Sequence, residues 1–186
     1  MALMIPYTPF DTRSEGEIAV FKSLQNGLDE NYIVFHSVRW VRSTRKSQGE
    51  ADFLILHRSL GILIIEVKAG FIRCEGRRWF QQNRNTKKEE EIQDPMNQAD
   101  SSKFKFLELL QDEQVPIKDC LVCHAVWYPS FTWNYPMPPH YAPEILFDAA
   151  TLDNPQESIE ASFALQNTII PQYCRHAHTG QKIKQW

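Results

Sequence analysis

Two apolar runs lie head to tail over residues 49–68, G-E-A-D-F-L-I-L-H-R-S-L-G-I-L-I-I-E-V-K. The second run is apolar at odd and even positions alike, the pattern of a strand buried on both faces. The turn over residues 57–61 is short, which predicts an antiparallel hairpin with strands about 4.8 Å apart. In that pairing the start of the first strand lies beside the end of the second, so Asp52 meets Glu66. Side chains two residues apart share a face, so Glu66 and Lys68 share one patch. A buried strand that ends in two opposite charges is the chain's most informative feature.

The other elements are read from the same periodicities. Residues 14–28 are helical: Ser14 and Glu17 have the spacing of a capping box, and Phe21, Leu24 and Leu28 form one apolar face. Strands are expected at 33–38, 51–56, 62–68 and 120–128, with 71–74 and 78–81 extending the same sheet. Residues 83–91, with the charge run K-K-E-E-E, read as a solvated loop. Asp94-Pro95 starts a second helix, with Asp94 as N-cap, that runs to about residue 110. Residues 129–143 are Pro-rich and aromatic and form a long loop, then comes a short strand at 145–147 and a third helix from 155 to about 170. This order predicts an α/β (α+β) sandwich, a mixed central sheet flanked by helices. It forms one domain over 1–186, with a core at about 14–170 and a tail at 171–186.

At 186 residues and 42% apolar, the chain can bury a real core and is not disordered. No run approaches the roughly 20 apolar residues of a membrane span. The first residues, M-A-L-M-I-P-Y-T-P-F-D, show neither a basic start nor a long apolar stretch, so no secretory signal is read there. The four cysteines then read as reduced thiols, and a cytoplasmic location is expected. A net charge of −3 argues against a generally basic coat but leaves room for a local one. Two basic runs flank the hairpin: Arg39, Arg42, Arg45 and Lys46 before it, and Arg73, Arg77, Arg78, Arg84, Lys87 and Lys88 after it.

Two carboxylates and an ammonium at one strand end suit a hard divalent cation and a phosphate. Asp52 and Glu66 can hold the ion, and the Val67 carbonyl adds an oxygen. Lys68 supplies positive charge for a developing phosphorane, an electrostatic role rather than that of a general base. Glu50 is read as turning away from Asp52 and is left out of this set.

The same residues resemble the PD-(D/E)xK nuclease superfamily, and more narrowly the NERD, or nuclease-related, domain. The match rests on Glu17, G-E-A-D at 49–52, G-I-L-I-I-E-V-K-A-G-F-I at 61–72, and Gly76 with Trp79. D-P-M-N-Q at 94–98, V-W-Y-P at 126–129 and P-E-I-L-F-D at 143–148 complete it, in order along most of the chain. Ala51 stands where the superfamily's name has proline. The resemblance implies a restriction-endonuclease-like core and Mg²⁺- or Mn²⁺-dependent cleavage of DNA. Asp52, Glu66 and Lys68 would be the centre, Glu17 a helix carboxylate facing the metal, and Gln98 a polar group lining the site. It also implies frequent fusion to helicase or kinase modules, for which a tail at 171–186 would suit as linker. Cutting both strands would call for a homodimer. The alternative within this fold is a DNA-binding or regulatory module without turnover.

Cys120-Leu-Val-Cys123-His124 matches a haem-attachment spacing, and with Cys174, His176 and His178 it offers a zinc set. Strand alternation puts Cys120 and Cys123 on opposite sides, so buried thiols are the favoured reading. The aromatics Phe131, Trp133, Tyr135 and Tyr141 are expected to pin their loop to the core, with stacking on bases the competing role.

Overall fold

The computed structural model describes residues 1–10, 14–41, 48–83, 86–117 and 120–169. Its elements in order are β1 (Leu3–Ile5), α1 (Glu15–Gly27), β2 (Tyr32–Val41), β3 (Gln48–His57), β4 (Gly61–Val67), β5 (Phe71–Glu75) and β6 (Arg78–Gln82). Then come β7 (Glu89–Ile92), α2 (Pro95–Asp112), β8 (Val122–Trp127), β9 (Leu146–Phe147) and α3 (Pro155–Ile169), with short 3-10 turns at Pro143–Ile145 and Ala149–Leu152. The expected tail lies outside the described residues.

Six strands form the central sheet in the order β1-β2-β3-β4-β8-β9. The β2-β3-β4 meander is antiparallel, while β1 and β2, β4 and β8, and β8 and β9 pair in parallel. The mixed sheet is therefore as expected. Leu63 and Ile65 of β4 pack with Phe21 and Leu24 of α1 and Phe163 of α3; Ile64 packs with Phe106 of α2. All three β4 residues are buried, which is why this strand reads as apolar at every position.

Three expectations are corrected. The strands β5 and β6 do not extend the central sheet; with β7 they form a separate antiparallel three-stranded sheet. The stretch read as a solvated loop contains β7, whose sequence E-E-E-I has no apolar alternation to betray it. Its carboxylates face arginines instead: Arg73 grips Glu89 through Nε and a second guanidinium nitrogen at 2.7 and 2.8 Å, and Arg78 pairs with Glu91. Strand β1 was not expected either; it is three residues long and sits at the sheet edge.

Helix starts follow their caps. The Ser14 hydroxyl accepts the Glu17 N–H at 3.3 Å. The Asp94 carboxylate accepts the Met96 and Asn97 N–H groups at 2.9 and 3.3 Å. The aromatic loop is pinned to the body. Tyr141 stacks on Trp79 with centroids 5.3 Å apart and donates its hydroxyl to Asp94 at 2.9 Å. Trp133 packs on Tyr128 at 5.2 Å, and its backbone N–H donates to the Asp148 carboxylate at 2.9 Å.

Candidate functional site

The hairpin arithmetic holds. The last ladder pair of β3 and β4 is Phe53 with Ile65, so continuing the register sets Asp52 opposite Glu66. At that point the Asp52 side chain takes over from the backbone: Oδ2 accepts the Val67 N–H at 2.7 Å. Lys68 Nζ donates to Glu66 Oε1 at 2.6 Å. Two carboxylates and one ammonium therefore meet at the end of a buried strand. The Lys68 side chain is 18% exposed and that of Glu66 only 6%. The amine is thus the outer member of the pair.

Burial pushes the Asp52 carboxyl up to about 7, and the neighbouring Glu66 charge pushes the same way. The Val67 N–H opposes both. Glu66 is also raised, first by burial, with Lys68 pulling against it. Such a pair has an electrostatic demand that a cation relieves.

Glu17 acts on both acids, raising Asp52 and Glu66 alike. Its Oε2 lies 3.5 Å from Nε2 of His36, a buried side chain on β2 stacked on Phe53 at 4.8 Å and edge-on to Phe21 at 5.5 Å. Sequence reasoning missed His36, because a single histidine in an apolar strand has no spacing that marks it. Glu50, which the sequence reading excluded, also raises Glu66. That exclusion miscounted the strand period, which puts residues two apart on one face, but β3 does not keep that period here: Ala51 packs with the α2-side cluster and Phe53 with the α1-side core. The local backbone is irregular here too. Ser37 has φ +55° and interrupts the pairing between His36–Phe53 and Val38–Ala51. His36 packs with Phe21 of α1, whereas Val38 and Trp40 join the α2 cluster, so strand parity inverts at Ser37.

Gln98 lies on α2, where it lines a cleft of about 690 Å³ together with Arg39, Gln48, Glu50 and Lys105. A second cleft, of about 760 Å³, begins at Ala69, the residue after Lys68, and runs along the start of α1 past Glu15 and Ser14. The first cleft holds Glu50, whose charge reaches Glu66, and the second holds Ala69, next to Lys68; Asp52, Glu66 and Lys68 themselves are part of neither lining.

The basic runs are partly corrected. Arg73 and Arg78 are held by Glu75, Glu89 and Glu91, and Arg39 lies 3.8 Å from Glu50. Arg42, Arg45, Lys46 and Arg84 lie outside the described residues. Cys123 is fully buried, with its thiol pushed up to about 12 by burial, and belongs to the α1-side core; Cys120 packs on the α2 side. Opposite faces rule out joint chelation by this pair, and Cys174, His176 and His178 lie outside the described residues.

Among the described residues no group of three or more His, Cys, Asp or Glu is close enough to hold a metal ion. A two-carboxylate set still fits Mg²⁺ or Mn²⁺, which takes one or two carboxylates and fills its remaining positions with water and phosphate oxygens. The donors here are hard oxygens, and their mutual repulsion favours a cation between them.

A mixed sheet with helices on both faces, and an Asp, a Glu and a Lys converging at one strand end, defines a restriction-endonuclease-like α+β core. The model of the nuclease-related domain, NERD, matches residues 12–125, more than half of the chain, and the protein belongs to that family. No curated protein and no solved structure matches the chain. Among the described residues no helix is long and apolar enough to cross a membrane.

Proposed function

We propose that the protein is a Mg²⁺- or Mn²⁺-dependent nuclease that hydrolyses phosphodiester bonds in DNA. The observation that carries this reading is the meeting of Asp52 and Glu66 at the hairpin end with Lys68 2.6 Å from Glu66. Asp52 and Glu66 would hold the ion, with the Val67 carbonyl and Glu17 as further oxygen donors. What such an ion supplies when bound is Lewis-acid charge at a phosphate oxygen.

The chain's own residues do the rest. Lys68, more exposed than its partner Glu66, offers its ammonium to the extra negative charge on phosphorus as the transition state forms. The Val67 N–H fixes one Asp52 oxygen and leaves the other for the ion. Gln98, with Arg39 and Lys105, lines the cleft on the α2 side, where polar side chains can hold the strand in register.

The test is plasmid nicking with Mg²⁺ and with Mn²⁺, beside Asp52→Asn and Lys68→Ala. Each variant is expected to lose at least about a hundredfold in rate, the usual worth of one charge-stabilising group, while keeping the wild-type circular dichroism spectrum. Nicking that survives in both variants refutes the reading.

One observation favours a second reading, a DNA-binding module of the same fold without turnover. The Lys68 ammonium pairs with Glu66 at 2.6 Å, so one of the two acids has a protein cation against it. That reading expects salt-sensitive DNA binding and no cleavage in either metal.

A further inference from the structure

The cleft that holds Glu50 and the cleft that holds Ala69 are of similar volume, about 690 and 760 Å³, but of opposite charge. The α2-side cleft is lined by Arg39 and Lys105 against the single acid Glu50. The α1-side cleft is lined by Lys88 against Glu15 and Glu90. A polyanion entering the second meets a net negative wall, and one entering the first meets a net positive wall.

We infer that a DNA strand reaches the acids along the α2-side cleft, with Arg39 and Lys105 contacting its phosphates and Gln48 and Gln93 its sugars and base edges. This rests on the reading of the site as one that acts on DNA. Three things support the assignment. First, Arg39 and Lys105 are both exposed and come from different elements, β2 and α2, so they flank the cleft rather than crowd one side of it. Second, the Arg39–Glu50 contact is long, at 3.8 Å, with both side chains mostly exposed. Such a pair is worth little in water, so Arg39 exchanges Glu50 for a phosphate at small cost. Third, the lining is rich in amides and hydroxyls, from Gln48, Gln93, Gln98 and Ser101. These groups donate to phosphate and sugar oxygens without adding charge. Arg73 and Arg78, which the sequence offered as equal candidates, are each held by carboxylates of their own small sheet. The net charge of −3 is no obstacle, because this groove itself carries two cations against one acid.

The experiment measures binding apart from turnover. A fluorescein-labelled DNA duplex and its single strand are titrated by anisotropy in Ca²⁺, at several NaCl concentrations, with wild type, Arg39→Ala, Lys105→Ala, Lys105→Glu and Lys88→Ala. Thermal melts confirm that each variant is folded. Removing one phosphate contact is expected to lower the slope of log K against log salt by about 0.9 for duplex and about 0.7 for single strand. Arg39→Ala and Lys105→Ala should each do so, Lys105→Glu should weaken binding further, and Lys88→Ala should change neither slope nor affinity. Loss of binding in Lys88→Ala with wild-type binding in the Arg39 and Lys105 variants overturns the inference, as does a wild-type protein that binds no DNA. A protein that binds through this cleft but cuts nothing leaves the inference standing and overturns only the hydrolytic reading.

Discussion

Asp52 is one of the residues on which pH acts, beside Glu66 and His124. The Asp52 carboxyl is raised to about 7 by burial and by Glu66, against about 3.9 in an unfolded chain. Between those values the folded protein holds a proton that the unfolded chain has released. The stability that Asp52 contributes therefore falls as pH rises through this window and levels off above it. Urea unfolding at pH 5 and pH 8 should show wild type losing on the order of 2 kcal/mol more than Asp52→Asn across the interval, because His124, pushed down to about 4 by burial, acts in the opposite direction but equally in both proteins. Asp52→Asn cannot ionise; an equal change in both proteins would show that Asp52 is not the titrating group. Asp52, Glu66 and Lys68 were legible in the sequence because hairpin register is arithmetic once the turn is short. Glu50 was lost through a wrongly counted period. His36 was lost because its partner Glu17 comes from a helix, and no spacing along the chain announces a contact between elements.

At the scale of elements, the helices and the central meander were legible because apolar spacing and caps write them into the sequence. The small sheet was not, because β7 is held by Arg–carboxylate pairs and backbone bonds rather than by buried apolar faces. Reversing both charges, Glu89→Lys with Glu91→Lys, should set four like charges across the sheet. Hydrogen exchange is the measurement: amides of Glu89–Ile92 should lose protection while those of β4 keep it. Uniform loss across both sheets would show that β7 supports the whole fold. A second test concerns the approach of two elements near the site. A Cβ added at Gly49 would lie 2.3 Å from the Trp40 indole, too close for any side chain unless the ring shifts, so glycine lets β2 and β3 close here. Gly49→Ala should destabilise the protein by about 1–3 kcal/mol, the cost of overpacking a filled site. Unchanged urea unfolding would mean that Trp40 moves aside freely.

For the whole molecule, the fold class was legible from element order alone, while the way two sheets share one chain was not. Gly70 explains the division. Its φ is +91°, and a Cβ there would lie 2.7 Å from the Gln82 carbonyl oxygen. The chain thus turns out of the central sheet two residues after Lys68 and starts a new sheet beside it. Metal loading should also register in global stability. If Asp52 and Glu66 hold the ion, Mn²⁺ must displace the Asp52 proton, so binding tightens as pH rises through about 7. The melting temperature gained from a fixed Mn²⁺ concentration should be larger at pH 8 than at pH 6, and EDTA should abolish it. A gain independent of pH would place the ion elsewhere.

The Val67 amide that fastens Asp52 belongs to the strand that carries Glu66. Any slip of β3 against β4 therefore separates the two acids and breaks the bond that orients one of them, in a single event. No partly misaligned hairpin keeps a half-working centre. Under the proposed hydrolytic reading, activity is thus tied to the alignment of these two strands.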